Sequence, residues 1–328
     1  MERRLLFVLL VWSGAALSSH ETVLSPVQQL RCMLDSGKLE VMPCCYDGLT
    51  ARLVENAGFK VTFMTGYGVS ASRGFPDVQL VSFGEMVDSA TVIASATRLP
   101  FIADGDTGGG NAMNVKRTVK GFAQVGAAGV MIEDQQQPKR CGHVGGKTVV
   151  GREEAVLRIR AACDARDELK EQGLGDVVIV ARTDANALDG FEEAILRCQL
   201  FREAGADITF MEAPKSLDEM RRYCEQVDGP KLANMLEGGK TPLLPPDQLQ
   251  ALGFSLAAYP TTLLSASAMA MKNALRHLKE EGNTPDDLLL SFPDLCTTVG
   301  FDDYFQDARQ YTIDDENTPS KKKEAPPS

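Results

Sequence analysis

The stretch Phe101-Ile102-Ala103-Asp104-Gly105-Asp106-Thr107-Gly108-Gly109-Gly110 sets a short apolar run, two carboxylates and a glycine-rich turn side by side. A run this brief and this apolar fits a strand buried on both faces of a parallel sheet, and the switch to Asp-Gly-Asp marks its C-terminal end. Working outward, the same pattern recurs at 39–43, 61–65, 100–104, 129–133, 177–182, 208–212, 231–234 and 256–259. Amphipathic stretches of helical period lie between these runs, clearest over 83–97, 115–125, 152–172 and 191–203. Gly58, Gly126, Gly173 and Gly205 follow such stretches, as suits a helix C-terminus. Eight strands, each followed by a helix, predict an α/β fold of the closed (β/α)8 TIM-barrel type, with additional C-terminal helices. An open doubly wound sheet is the alternative. No G-x-G-x-x-G follows the first strand, so the usual dinucleotide-dependent oxidoreductase reading has no support.

Composition narrows the classes of function. The formal net charge of −11 over 328 residues argues against non-specific nucleic-acid binding, which needs clustered Lys and Arg. The one basic run, Lys321-Lys322-Lys323, belongs to a polar tail over 313–328 that reads as disordered. An acidic protein that binds an acidic substrate must supply local positive charge from a metal or an arginine. The eight cysteines form no C-x-x-C pair, unlike a disulfide framework or a zinc site. Residues 1–19 run from Glu2-Arg3-Arg4 through an apolar stretch to small residues, the order of a cleavable signal segment too short to span a bilayer. Entry to the secretory pathway, or onward organelle targeting, is expected from it. Without a working signal the chain would be cytoplasmic or mitochondrial. No membrane span is expected in the mature chain, and the catalytic unit is placed over 27–295.

A barrel gathers its chemistry at the C-terminal strand ends. Here those ends read Thr65-Gly66-Tyr67, Asp104-Gly105-Asp106, Glu133-Asp134, Arg182-Thr183-Asp184, Glu212 and Asn234, where a purely structural barrel needs no such polarity. Asp104, Asp106 and Glu133 offer the hard oxygen donors that suit Mg2+, which keeps several waters and takes only one or two carboxylates directly. Lys139-Arg140-Cys141-Gly142-His143 follows in a Gly-rich loop. Basic neighbours are expected to lower the pKa of Cys141 and favour proton exchange, and Gly142, Gly145 and Gly146 to let the loop close.

Ala103-Asp104-Gly105-Asp106-Thr107-Gly108, Ile132-Glu133-Asp134-Gln135, Lys139-Arg140-Cys141-Gly142-His143 and Ala181-Arg182-Thr183-Asp184-Ala185 resemble the isocitrate lyase / phosphoenolpyruvate mutase superfamily. The similarity runs from about residue 27 to 282, with K-R-C-G-H its most specific element. Asn234-Met235-Leu236-Glu237-Gly238-Gly239-Lys240-Thr241-Pro242 resembles the short-chain branch of 2-methylisocitrate lyase, dimethylmalate lyase, oxaloacetate acetylhydrolase and the petal death protein.

The resemblance implies a Mg2+-dependent enzyme, with Mn2+ as an alternative ion, acting on a small dicarboxylate or 2-oxo acid. Asp104 would be the direct ligand, Asp106 and Glu133 would hold metal-bound waters, and Asp77 would be a further acid nearby. Thr65, Gly66 and Tyr67 would hold a substrate carboxylate, Thr65 replacing the family's usual Ser. Arg182 would stabilise developing charge, Glu212 and Asn234 would complete the pocket, and Cys141 with Gly142 and His143 would close over substrate, its thiol donating a proton. The implied reaction is cleavage of the C2–C3 bond of a 2-alkylmalate or methylisocitrate-like substrate to a 2-oxo acid and a carboxylate. Hydrolysis of oxaloacetate to oxalate and acetate is the first alternative, and Tyr259-Pro260-Thr261-Thr262 lies where pocket polarity could tip the balance. A phosphonate enzyme of the carboxyvinyl-carboxyphosphonate or phosphoenolpyruvate mutase type ranks lower, because those members lack the loop cysteine. A non-catalytic secreted binding protein on a degenerate barrel is the alternative outside enzymes. Family members are typically homotetramers that swap C-terminal helices, and 263–280 followed by Asn283-Thr284-Pro285 is compatible with that.

Overall fold

A computed structural model describes residues 24–311; the signal-like segment 1–19 and the polar tail expected over 313–328 lie outside the described residues. Eight parallel strands run in the order β6-β5-β4-β3-β2-β1-β8-β7. They are β1 Glu40–Cys45, β2 Thr62–Met64, β3 Phe101–Asp104, β4 Gly129–Glu133, β5 Val178–Thr183, β6 Ile208–Met211, β7 Leu232–Asn234 and β8 Leu256–Tyr259. A single parallel bridge, Thr209 to Lys231, joins the two ends of that order between β6 and β7. The result is a (β/α)8 barrel of the TIM type, with extra helices Phe292–Val299 and Phe301–Ala308 after the helix that follows β8. The strand runs read from sequence all form strands, although β1 continues to Cys45 and β2 is confined to Thr62–Met64.

Strand alternation sorts side chains between two apolar layers. Met42, Cys44, Phe63, Ile102, Met131, Val178, Val180, Ile208, Phe210, Leu232, Leu256 and Ala258 fill the barrel interior. Their neighbours of opposite parity, among them Cys45, Met64, Phe101, Ala103, Val130, Ile132, Ile179 and Ala181, pack outward against the helices. The inward parity continues upward into polar residues. Phe63 leads to Thr65, Ile102 to Asp104, Met131 to Glu133, Val180 to Arg182, Phe210 to Glu212 and Leu232 to Asn234. The barrel therefore delivers one polar group from each of β2 to β7 to the same end by its pleat alone.

Local signals end the helices where the sequence suggests. Gly58, Gly126, Gly173 and Gly205 all have positive φ, between 66° and 101°, which Gly adopts without steric cost. The helix Pro26–Asp35 starts on a capping box from Ser25 and closes the N-terminal end of the barrel. Its Leu30 is fully buried with the barrel-filling residues, and Arg31 bonds Asp176 at 2.7 Å and Asp207 at 2.9 Å.

The helix Thr262–Glu281 has a different character. None of its residues is buried, and Met269, Met271, Leu275 and Leu278 are all exposed. Phe292, Phe301, Tyr304 and Phe305 beyond it are exposed as well.

Leu30→Ala is expected to lower the free energy of urea unfolding by about 2–5 kcal/mol, the range for truncating a buried leucine. A loss below about 1 kcal/mol would mean that the first helix does not plug the barrel.

Candidate active site

A cavity of about 510 Å³ opens at the C-terminal mouth of the barrel. Thr65, Tyr67, Asp77, Asp104, Cys141, Gly142, His143, Arg182, Glu212 and Asn234 all line it, so most of the residues singled out from sequence converge. Its floor is apolar and was not anticipated: Cys44, Phe63, Met131, Phe210, Leu232 and Ala258 rise from the barrel interior. Asp106 and Glu133 stand behind this wall, and Gly66 is turned from it, its N–H donating to Asp104 Oδ2 at 3.0 Å. Thr65 Oγ1 caps the helix Gly66–Ser72 by accepting from Gly68 N–H, which leaves its own proton free to donate.

The acids around β3 and β4 are short of positive charge. Lys139, almost wholly buried, places Nζ 2.6 Å from Asp77 Oδ1 and 2.8 Å from Asp106 Oδ1. The second contact is within ion-pair range but off the line of a hydrogen bond, so Asp106 Oδ1 accepts none. Glu133 Oε1 is likewise buried without a partner, while Oε2 lies 3.3 Å from Arg182 Nε. Burial pushes the Asp106 carboxyl up to about 6 despite Lys139, with Asp104 adding to the rise. Burial also holds Glu133 well above the usual carboxylate range against the pull of Arg182. A buried Glu133 oxygen with no partner, and an Asp106 oxygen met only by the charge of Lys139, form a cluster of hard donors that a small divalent cation would satisfy. Among the described residues no three His, Cys, Asp or Glu side chains converge closely enough to cage an ion on their own. That fits Mg2+, which takes one or two carboxylates and keeps its waters, and does not fit an ion needing an all-protein cage.

On the opposite side Arg182 is held by three carboxylates. Nε lies 2.9 Å from Asp184 Oδ2, Nη2 lies 3.0 Å from Glu212 Oε2, and Glu133 is the third. Burial would raise the Glu212 carboxyl, but Arg182 and His143 outweigh it and hold the group far below its ordinary value. His143 Nδ1 accepts from Lys240 N–H at 3.2 Å, which assigns the ring proton to Nε2, 3.0 Å from Glu212 Oε1. Asn234 Nδ2 donates to both Glu212 oxygens at 3.3 Å, and its Oδ1 is buried with no donor.

Cys141 differs from expectation. Its thiol pKa is raised, because burial dominates over the His143 backbone N–H and Arg182, which pull it down. The basic residues beside it in sequence are directed elsewhere: Lys139 to Asp77 and Asp106, His143 to Glu212, and Arg140 to Gly145 O. That shift favours the thiol over the thiolate. Gly142 serves close approach more than hinging: a Cβ there would meet Arg182 Nη2 at 2.4 Å and Glu212 Cγ at 2.8 Å. Sequence reasoning also passed over Lys139 as a counterion and Asp184 as the anchor of Arg182. The inward parity of β5 points to Arg182 but gives no hint of which acid holds it.

A sequence profile of the phosphoenolpyruvate phosphomutase family matches residues 30–279. The chloroplastic carboxyvinyl-carboxyphosphonate phosphorylmutase of Arabidopsis thaliana is 43% identical, over 85% of this chain and 83% of that protein. The 2,3-dimethylmalate lyase of Eubacterium barkeri is 42% identical, over 84% of this chain and 94% of its own. Among solved structures, oxaloacetate acetylhydrolase in complex with 3,3-difluorooxalacetate superposes with a TM-score of 0.83 at 36% identity, covering 88% of this chain and 97% of that one. A phosphonopyruvate hydrolase, 28% identical with a TM-score of 0.78 over 88% of this chain and 99% of its own, was solved with oxalate and Mg2+.

Because the thiolate is the reactive form, alkylation of Cys141 by iodoacetamide should be slow at neutral pH. Its rate should climb to a midpoint above the ordinary thiol value, read by mass spectrometry of the Cys141 peptide. A midpoint below that value would restore the electropositive reading.

Proposed function

The chain belongs to the phosphoenolpyruvate mutase / isocitrate lyase superfamily, and from that premise we propose a Mg2+-dependent lyase that cleaves the C2–C3 bond of a small 2-alkylmalate or methylisocitrate-like acid. The observation that carries this reading is a cavity with a polar rim, to which Cys141 and Arg182 both contribute, and an apolar floor. A substrate with carboxylates at one end and an alkyl group at the other matches that division.

Asp104, supported by Asp106, Glu133 and Asp77, would hold Mg2+ or Mn2+, which when bound supplies positive charge to the 2-oxygen and neighbouring carboxylate of the substrate. Thr65 and Tyr67 face the cavity as hydroxyl donors for a carboxylate. Asn234 Oδ1 is an acceptor waiting for a substrate donor. As the C2 hydroxyl passes its proton to a carboxylate of the cavity lining, the C2–C3 bond breaks and its electron pair passes to the departing fragment. Arg182 meets the charge that develops there, already oriented by Asp184 and Glu212, so little reorganisation is needed. The Cys141 thiol then protonates the fragment, releasing a carboxylate and leaving a 2-oxo acid. Glu212 keeps Arg182, His143 and Asn234 in register through one carboxylate.

Oxaloacetate hydrolysis is the second reading, favoured by the likeness to oxaloacetate acetylhydrolase and by the Thr261 hydroxyl in the cavity wall. A phosphonate substrate, as the name of the Arabidopsis relative suggests, accounts less well for a protonated thiol in the site. A binding protein without catalysis would have no need for the convergence of acids, thiol and arginine described above.

The exposed apolar helices beyond β8 support self-association, and the expected state is a homotetramer with C-terminal helices packed between subunits. Sedimentation equilibrium should give about four times the chain mass of 35.5 kDa, and a concentration-independent monomer would refute the assembly.

The activity is tested with a panel of 2,3-dimethylmalate, other 2-alkylmalates, 2-methylisocitrate, isocitrate, oxaloacetate and phosphonopyruvate, with products identified by NMR. A 2-oxo acid with its partner carboxylate, lost on chelation and restored by Mg2+, is the expected result. Cys141→Ser should lower turnover by about 10²-fold or more, the scale of a misplaced general acid. Oxalate and acetate would select the second reading, and no turnover of any compound by folded protein would sink both.

A further inference from the structure

The segment carrying Cys141 is built as a stem and a head. In the stem, Gln135 and Val149 form an antiparallel bridge, Gln136 N–H donates to Thr148 O at 2.9 Å, and Val150 N–H donates to Asp134 O at 2.9 Å. The head, residues 137–147, reaches over the cavity. Its first half is tied by Gln135, whose amide brackets the Arg140 main chain at 2.9 and 3.0 Å, and by Lys139 N–H to Gln79 Oε1 at 2.8 Å.

Lys147 closes the second half. Its side chain, only 3% exposed, folds back beneath the Cys141-Gly142-His143 turn. Nζ donates to Gly142 O at 2.7 Å and to Asp184 Oδ1 at 2.5 Å. Asp184 is the same carboxylate that holds Arg182, at 2.9 Å from Nε and 3.3 Å from Nη2. It is fixed in turn to the barrel wall, since its N–H donates to Asp134 Oδ1 at 2.8 Å while Thr183 Oγ1 and Arg197 hold Asp134 Oδ2.

A buried ammonium is tolerated only while its charge and donors are matched. When the head lifts, Lys147 must return to water, and Asp184 is left to Arg182 alone. We propose that Lys147 is a positioning residue: it latches the Cys141 turn shut and sets the thiol in register with Arg182, through the one aspartate that both cations share. Lys147 needs no contact with substrate for this. It acts on Gly142 O from below, while Gly142, with no side chain, lies directly against Arg182 and Glu212. The latch is a property of the loop, and only its effect on turnover rests on the lyase reading.

The test uses full-length Lys147→Met and the wild-type protein at one fixed pH, with peptide mass spectrometry following iodoacetamide labelling at each cysteine. Loss of a charge-assisted hydrogen bond predicts alkylation of Cys141 faster by about tenfold or more. Cys45 and Cys198, which are buried and do not line the cavity, should stay at their wild-type rates. With the substrate named by the panel, kcat should fall by about tenfold or more while KM changes by less than about threefold, as for a group that is misplaced after binding. Lys147→Arg, which keeps a cation for Asp184, should recover part of both losses. If Lys147→Met does not fold, Lys147→Gln carries the same measurements without the charge. Unchanged Cys141 labelling, or Cys141 rising only in step with Cys45 and Cys198, overturns the latch. A panel without turnover would count against the lyase and leave the labelling result to decide Lys147.

Discussion

A carboxylate buried at the end of a barrel strand stays ionised only if a cation is buried with it, and this constraint organises the mouth of the molecule. Asp184, Glu212 and Glu133 converge on Arg182, which is why one arginine can be oriented without a rotamer to spare. Asp134 is matched by Arg197, and Asp77 with Asp106 by Lys139. Compensation is least complete around β3 and β4, where Glu133 Oε1 has no partner and Asp106 Oδ1 has only the charge of Lys139. The imbalance is local and points to where a divalent cation would relieve it.

The Cys141 loop takes part in the same account. Lys139, His143 and Lys147, spaced along its head, each end on a barrel acid: Asp77, Glu212 and Asp184. Closing the loop and neutralising the rim are therefore linked, because Lys139 and Lys147 bring charge, and His143 a ring N–H, to acids that the strands leave unmatched. An open loop would leave these acids to repel one another and a dianionic substrate alike. The same arrangement explains the state of the thiol. Basic residues next to Cys141 in sequence cannot acidify it once their charge is committed to acids, and burial then sets the direction of its pKa.

Much of this was legible before any coordinates. The eight apolar runs marked the strands, glycines at helix ends marked the punctuation, and the C-terminal strand ends grouped Asp104, Glu133, Arg182, Glu212 and Asn234. What sequence could not give was pairing across the ring. Lys139 is 62 positions from Asp77, and Lys147 is 37 from Asp184, separations over which spacing carries no information. Gly66 illustrates the same limit at short range: its place after β2, between Thr65 and Tyr67, is plain from sequence, but not that its N–H turns to Asp104. The sign of the shift at Cys141 was misjudged for this reason, since charge was counted along the chain and the field acts through space.

The division between rim and floor also bears on how relatives of such similar architecture can carry different names. The rim fixes carboxylates with paired charges, and an unmatched buried polar group discriminates strongly, so it should tolerate little change in the acid end of a substrate. The floor of Cys44, Phe63, Met131, Phe210, Leu232 and Ala258 works by apolar contact, where one methylene is worth only about 1–3 kcal/mol. In the proposed lyase, changes in the size of a floor residue would thus retune which alkyl group is preferred without disturbing the bond that breaks. A change of reaction class instead requires a different polarity beside the departing carbon, where Cys141 and Thr261 enter the same cavity. Substrate range and reaction type are then separable on this barrel, the first carried by the strands below and the second by the loops above.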